Sequence, residues 1–220
     1  MKNNYEVLVY DQDPDNRILA AEHGVGWDVL VHDPISEVRL AIALMGYRLD
    51  ELINDPDNLV REAATYMTYV ESKDKNKRLY AARHGFGLDT LIYDEETSVR
   101  VAVAEQGYGL KELVNDESFW VRKAVAEQGY QLDTLINDKN ELVRAAVAKQ
   151  GYKLDILVND PKWQVRKAVA EQGYSLNILL NDEDEYVRKA VAEQGYGLDI
   201  LVNDKDSTVR KAATKMLQKT

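Results

Sequence analysis

The stretch Val121–Tyr130 reads VRKAVAEQGY, and it decides the fold of this chain. The same ten residues recur with at most two substitutions in four further places: 99–108, 143–152, 165–174 and 187–196. Weaker copies begin at Asn16, Val38 and Lys77, and neighbouring copies generally lie 22 residues apart. A fixed short period is typical of repeat folds, in which each unit buries its apolar face only against its neighbours. Such folds usually supply a long binding surface.

The period predicts the organisation of the whole chain. We expect a single repeat domain over residues 1–220. Its predicted parts are a half-unit at 1–15, full units over 16–59, a shortened irregular unit at 60–76, full units over 77–208 and a capping half-unit at 209–220.

Each unit contains start and stop signals for one helix. In the unit that begins at Asp138, this residue is a good N-cap and Gly151 suits a left-handed position after the helix. Prolines occur near four such starts, and we expect them in the first turn, where a missing N–H costs little. The remaining segment contains Leu154 and Leu157, three residues apart. We therefore predict an α-helix of about 11 residues alternating with one short α- or 3₁₀-helix.

Two polar positions are nearly constant. An Arg is second in every unit, and an Asp lies six residues before nearly every one of these arginines, although Ser72 takes that place before Arg78. We expect each Asp to cap a helix, and each Arg to pair either with that Asp or with the Asp of the adjacent layer. A channel for ions or phosphate is the alternative. The predicted structural ladder comprises Arg39, Arg100, Arg122, Arg144, Arg166, Arg188, Asp33, Asp55, Asp94, Asp116, Asp138, Asp160 and Asp182.

These residues carry a family resemblance over essentially the whole chain. Residues 160–170 read DPKWQVRKAVA and are followed by Leu176-x-x-Leu179, a pattern that resembles the variant leucine-rich repeat. The segment from Asp to Val-Arg also resembles HEAT repeats. The resemblance implies an all-α, right-handed α-solenoid in which α-helices alternate with short helices. It implies macromolecular interaction more than any particular activity.

Composition narrows the function classes. The chain has no Cys, which fits a reducing cytosol, and no apolar run long enough for a membrane span. Its net charge of −10 disfavours general nucleic-acid binding. With no recognisable catalytic or metal-binding motif, we expect a cytoplasmic, non-enzymatic protein without cofactor or metal, and a monomer is favoured.

Function should be sought where the repeat changes. In the position after the ladder Arg, four N-terminal units have an apolar residue, whereas later units have Lys123, Lys167, Lys189 and Lys211. We expect this position to be exposed. One interpretation is an apolar patch on the N-terminal half and a basic stripe on the C-terminal half, where the lysines contact an acidic partner. We favour the alternative, in which acidic loops neutralise the lysines and the apolar residues pack against neighbouring rows.

Aromatic residues give the second set of candidates. Phe119, Trp120, Trp163 and Tyr186 precede the Val-Arg pair, where other units mostly have polar residues, and they could anchor a partner protein. Packing between layers is the alternative. The Tyr that follows the repeat Gly in six units, with Phe86 in the same position of another, offers the same choice, and there we favour packing. The shortened unit is predicted to contain an exposed loop at 70–76, which is a hinge, a binding edge or a neutral deletion.

The sequence therefore predicts a repeat scaffold for protein–protein interaction. The alternative function is nucleic-acid-related: DNA binding through an Arg/Lys stripe, or an acidic DNA mimic. A lyase or cofactor chaperone of the HEAT-like type is a third, weaker possibility.

Overall fold

The computed structural model describes residues 5–219, and within this range the regular elements are all helices. The chain forms two compact units, Met1–Gly109 and Leu110–Thr220. The predicted half-unit 1–15 thus begins, and the capping half-unit 209–220 ends, outside the described residues. No helix between residues 5 and 219 is both long and apolar enough to cross a membrane.

Long and short helices alternate through most of both compact units. Unit 1 contains a 3₁₀ helix Tyr5–Tyr10, α1 Pro14–Glu22, α2 Trp27–Leu30, α3 Ser36–Leu44, α4 Leu49–Leu52, α5 Asn58–Val70, α6 Lys75–Arg83, α7 Leu88–Leu91 and α8 Thr97–Glu105. Unit 2 contains α9 Leu110–Leu113, α10 Phe119–Glu127, α11 Leu132–Leu135, α12 Glu141–Lys149, α13 Leu154–Leu157, α14 Trp163–Glu171, α15 Leu176–Leu179, α16 Glu185–Glu193, α17 Leu198–Leu201 and α18 Ser207–Leu217.

Most of the long helices, all except α5 and α18, are shorter than expected because they start later. Asp138 was expected to be an N-cap, but its carboxylate accepts a hydrogen bond from the N–H of Asn140 at 2.8 Å. Asn140 is the N-cap, and its side chain accepts from Leu142 N–H. An Asp that bonds two residues onward forms a turn before the helix. The helix consequently spans nine residues, Glu141–Lys149. For the same reason Pro34, Pro56 and Pro161 precede their N-caps, whereas Pro14 begins α1.

The predicted glycine stops are confirmed. Gly129 has φ +75°, its N–H donates to Ala126, and the N–H of Tyr130 donates to Val125. This pair of bonds satisfies the last carbonyls of the helix. Glycine has positive φ at the equivalent position of all eight full units: Gly24, Gly46, Gly85, Gly107, Gly129, Gly151, Gly173 and Gly195.

Successive long helices pack side by side within each of the two compact units. In unit 2 the order is α10, α12, α14, α16 and α18. The amide of Gln150 donates to the carbonyl of Glu127 at 3.0 Å, which joins corresponding ends of α12 and α10. The core is made of the Val and Ala of the long helices and the last Leu of each short helix, for example Val125 and Leu135. Each such Val or Leu contributes roughly 1.5–3 kcal/mol through burial.

The shortened unit departs from this arrangement. Helix α5 has 13 residues, no short helix follows it, and residues 71–74 lead directly into α6. The predicted loop at 70–76 is therefore wrong at both ends. Val70 is the buried last residue of α5, and Lys75 and Asn76 already belong to α6. Val70 is buried because it packs against the backbone at Gly87: a Cβ added there would lie 2.7 Å from Val70 Cγ1.

Candidate functional site

The Arg–Asp ladder links neighbouring layers. Arg39 donates through Nε and Nη2 to the two carboxylate oxygens of Asp55, at 2.7 and 2.9 Å, and through Nη1 to the carbonyl of Asp33. Of the two pairings considered from the sequence, the structure shows the one with the next layer. Seven arginines each hold an Asp 16 residues onward in this way: Arg17, Arg39, Arg78, Arg122, Arg144, Arg166 and Arg188.

Burial and hydrogen bonding set the charge state of the ladder. The Arg39 guanidinium and a backbone N–H hold the pKa of Asp55 below its ordinary value, against the opposing effect of burial. The Arg188 guanidinium does the same for the pKa of Asp204. Arg100 is buried and donates to the carbonyl of Asp94, and Asp116 accepts from the N–H of Ser118. These groups are structural contacts rather than a free row of charges.

Arg61 departs from this pattern. Its Nη1 donates to the carbonyls of Asp55 at 2.6 Å and Pro56 at 2.9 Å, as in the other units. Its Nη2 donates to the amide oxygen of Asn58 at 3.2 Å. Within residues 5–219, however, no carboxylate forms an ion pair with Arg61.

The lysines in the position after the ladder Arg are less exposed than expected, and most of them pair with glutamates. Three of the four lysines, Lys123, Lys167 and Lys189, are half-buried, and only Lys211 is exposed. The Nζ of Lys123 lies 2.6 Å from Glu127, and Lys167 pairs in the same way with Glu171. The apolar residues of the N-terminal units in this position, Ile18, Leu40, Leu79 and Val101, are also half-buried.

The candidate aromatic anchors form two separate pairs. Trp163 stacks on Tyr186 with ring centroids 4.9 Å apart, and Phe119 lies 4.6 Å from Trp120. Trp120 is 51% exposed and Tyr186 is 47% exposed, whereas Phe119 and Trp163 are half-buried. Helix α12 lies between α10 and α14 in the stack, so it separates the two pairs.

The repeated Tyr combines packing with hydrogen bonding. The hydroxyl of Tyr47 donates to the carboxylate of Asp28, and the hydroxyl of Tyr152 donates to Asp133. Both bonds reach back to the preceding short helix, 19 residues earlier. Tyr108, Tyr174 and Tyr196 remain between 38% and 43% exposed.

A groove between α5 and α6 brings together residues that the sequence did not single out. It has a volume of about 720 Å³ and lies within unit 1. The residues that define it are Arg61, Glu62, Tyr66 and Tyr69 of α5 together with Lys77 and Tyr80 of α6; we call it the α5–α6 groove. Glu62, Tyr66 and Tyr69 share one helix face, because spacings of four and three residues follow the helical period, and Arg61 lies at the edge of that face.

Tyr66 lies at the centre of an aromatic cluster. Its ring centroid is 4.7 Å from that of Phe86, 5.0 Å from that of His84 and 5.5 Å from that of Tyr80. Its hydroxyl donates to Glu62 at 3.0 Å. Burial among the rings and this hydrogen bond raise the pKa of Tyr66 to about 12, so it remains a neutral donor at physiological pH. The Nζ of Lys77 lies 5.3 Å from the ring centroid of Tyr69.

The groove is open because the shortened unit has no short helix. Lys77 and Tyr80 occupy the repeat positions that hold Val121 and Ala124 in the unit of α10, where both are buried. Short helix α9 packs against α10, whereas no short helix precedes α6. Tyr80 is consequently 47% exposed. In the sequence, the groove could have been found from Lys77 and Tyr80, which stand where most other units have Val and Ala.

Comparisons with known proteins add little. No protein-family model matches the chain, and no curated protein matches it. Nineteen chains of known structure match. One is the X-ray structure of YibA from Escherichia coli, a structural genomics target, with 16% sequence identity and a TM-score of 0.37 over 100% of this chain and 93% of that chain.

Proposed function

We propose that this protein is a non-catalytic repeat scaffold that binds a partner protein, and that the α5–α6 groove is its main contact site. The observation that carries the proposal is the aromatic cluster where the shortened unit meets the unit that follows it, with Tyr80 47% exposed. At the start of that following unit, Lys77 and Tyr80 replace a buried Val and Ala of the repeat, so a surface stands where other units have core packing. Large aromatic side chains in a concave, partly desolvated site are typical anchors of protein interfaces.

The proposal includes the finer features of the fold. We propose right-handed solenoid packing of the variant leucine-rich or HEAT-like type, supported by the alternating long and short helices and by the sequence pattern. A cytoplasmic location is proposed from the cysteine-free composition. The pairs Trp120–Phe119 and Trp163–Tyr186 are proposed as secondary contacts, supported by the exposure of Trp120 and Tyr186.

The charged groups favour a protein partner over DNA. DNA binding depends on cations that are free to replace the counterions of phosphates. Most ladder arginines hold an Asp in a two-point contact, and Lys123, Lys167 and Lys189 pair with glutamates one turn onward. These cations are already neutralised within the chain.

Quantitative capture from a lysate of the source organism tests the proposal. The wild-type chain is immobilised beside Tyr80→Ala, which restores the consensus residue and should fold. We expect at least one protein to be retained by the wild type and lost with Tyr80→Ala. The matched control is Tyr93→Asn, which replaces an exposed tyrosine outside the groove lining by the residue type found at the equivalent Asn137; it should retain that protein.

Two outcomes count against the proposal. Equal retention by the wild type and Tyr80→Ala would remove the groove as the contact site. Tight duplex-DNA binding that weakens steeply between low and moderate salt, measured by filter binding, would overturn the protein-scaffold function itself.

A further inference from the structure

Arg61 is held by backbone contacts as the ion-paired ladder arginines are, but no carboxylate of residues 5–219 pairs with it. In seven other units Nη1 holds backbone carbonyls and the Nε–Nη2 edge holds both oxygens of an Asp, for example Arg78 with Asp94 at 2.6 and 3.1 Å. Arg61 makes the same carbonyl contacts, which fix the plane of its guanidinium. Its Nε–Nη2 edge meets only the neutral amide oxygen of Asn58 within the part of the chain that the structure describes.

The shortened unit explains the missing partner. In a regular unit the short helix returns the chain, so that the next Asp arrives beside the start of the preceding long helix. Here residues 71–74 span at most roughly 14 Å when extended, whereas a helix of 13 residues such as α5 is about 20 Å long. The chain therefore enters α6 near the end of α5, as the contact of Tyr69 with Lys77 shows. The equivalent of the ladder Asp is Ser72, which is uncharged and follows the far end of α5.

We propose that the α5–α6 groove binds an acidic segment of a partner protein, in which an Asp or Glu carboxylate takes the Nε–Nη2 edge of Arg61. An aromatic or aliphatic residue beside that carboxylate packs against Tyr66, Tyr69 and Tyr80. The inference rests on the proposed function and adds the chemistry of the partner. The partner thus completes the ladder at the unit where the chain interrupts it.

The local charges favour this occupant. Arg61 and Lys77 contribute two positive charges to the groove, and Glu62 contributes one negative charge that already accepts from Tyr66. The net charge of −10 on the whole chain opposes an acidic partner, but salt screens such repulsion beyond about 8 Å at physiological ionic strength. A planar guanidinium whose two-donor edge holds only a neutral amide oxygen matches a carboxylate better than a point charge does.

Selection from a random peptide library tests the inference on the full chain. We expect enriched peptides to share an Asp or Glu next to an aromatic or aliphatic residue. Replacing that acidic residue by its amide, or replacing Arg61 by Met, should weaken binding at least about tenfold, as when one partner of a hydrogen-bonded charge pair is removed. Arg61→Lys should lose part of the affinity, because it keeps the charge but not the two-donor edge.

Matched variants separate the possible results. Arg210 is another ladder Arg that pairs with no carboxylate of residues 5–219, and it is far from the groove in sequence; Arg210→Met should leave binding unchanged. Glu62→Gln should strengthen binding by removing a like charge. Circular dichroism of each variant checks that it is folded.

Three results would overturn the inference. Peptides that need Tyr80 but ignore Arg61 would refute the carboxylate contact and leave the proposed function standing. Failure to enrich any peptide that depends on Tyr80 would count against both. Displacement of the peptides by inorganic phosphate far more effectively than by acetate would identify a phosphate site instead.

Discussion

Replacing one ladder arginine in each of two consecutive units should affect stability very differently. Arg39→Met removes the guanidinium that holds the Asp55 carboxylate, whereas Arg61→Met removes a guanidinium without a carboxylate. Both arginines contact the same residue, since Arg39 binds the side chain of Asp55 and Arg61 binds its carbonyl. The comparison therefore isolates the ion pair from the backbone contact.

The magnitudes follow from burial. The side chains of Arg39 and Asp55 are 12% and 4% exposed, so Arg39→Met leaves a nearly buried carboxylate with its bond from the N–H of Asp57 but no cation. Breaking a buried pair from one side costs about 3–5 kcal/mol, and the remaining bond places this case near the lower end. Loss of the carbonyl contacts of Arg61 should cost about 1–2 kcal/mol. We expect Arg39→Met to be the less stable variant by about 2 kcal/mol.

Urea unfolding followed by tryptophan fluorescence measures this difference. Trp27 is the one tryptophan of the 220-residue sequence that lies in unit 1, so replacing Trp120 and Trp163 by Phe makes the signal specific for that unit. Its indole donates to Ala21 and its ring lies 5.3 Å from Tyr47, contacts that unfolding should break.

A second variant shows whether an unpaired charge is the cause. Adding Asp55→Asn to Arg39→Met removes the buried charge and should recover about 1–2 kcal/mol. Equal free energies of unfolding for Arg39→Met and Arg61→Met would refute the reasoning, because the carboxylate contact would then contribute nothing measurable.

Two further predictions concern the backbone and pH. Gly87→Ala should destabilise unit 1 by about 1–3 kcal/mol more than Gly85→Ala. Both glycines have positive φ, but only a Cβ at position 87 would clash with the side chain of Val70. Adding Val70→Ala to Gly87→Ala should remove most of the difference in the same urea assay. Because their folded pKa values lie below those of the unfolded chain, Asp55 and Asp204 contribute stability above about pH 4 that is lost as the pH falls through the folded pKa. The stability gap between wild type and the double variant Arg39→Met/Asp55→Asn should therefore narrow in acid, and a gap that stays constant would contradict this linkage.

The regular features could be predicted because one local signal recurs in every unit. Gly129 and its equivalents mark helix ends, since a positive φ there favours glycine. The pairing of Arg39 with Asp55 was one of two alternatives, because spacing alone does not reveal which layer a long side chain reaches. The left-handed positions at Arg48 and Lys153 were missed because neither residue type signals that conformation.

The candidate site was harder to predict for a different reason. Exposure of Tyr80 depends on the absence of a helix that would otherwise cover it, which is a property of the tertiary structure. The sequence did mark the irregular unit, but it suggested a loop where α5 continues to Val70. Lys77 and Tyr80 stood out only when compared with the Val and Ala of the other units.

The ladder also bears on how such a chain could grow. Each paired arginine contacts a carbonyl just before its own long helix and a carboxylate just before the next one, so a duplicated segment of 22 residues arrives with both halves of its contacts already matched. A gene segment that encodes 22 residues can be gained or lost without leaving an unpaired group. The shortened unit has five residues fewer than the others, and its Arg61 has no carboxylate partner within residues 5–219. Near-identical copies such as 121–130 and 165–174 are what growth by whole units would leave. The shortened unit is the kind of change that such growth would not produce, and selection for a distinct local role would explain its persistence.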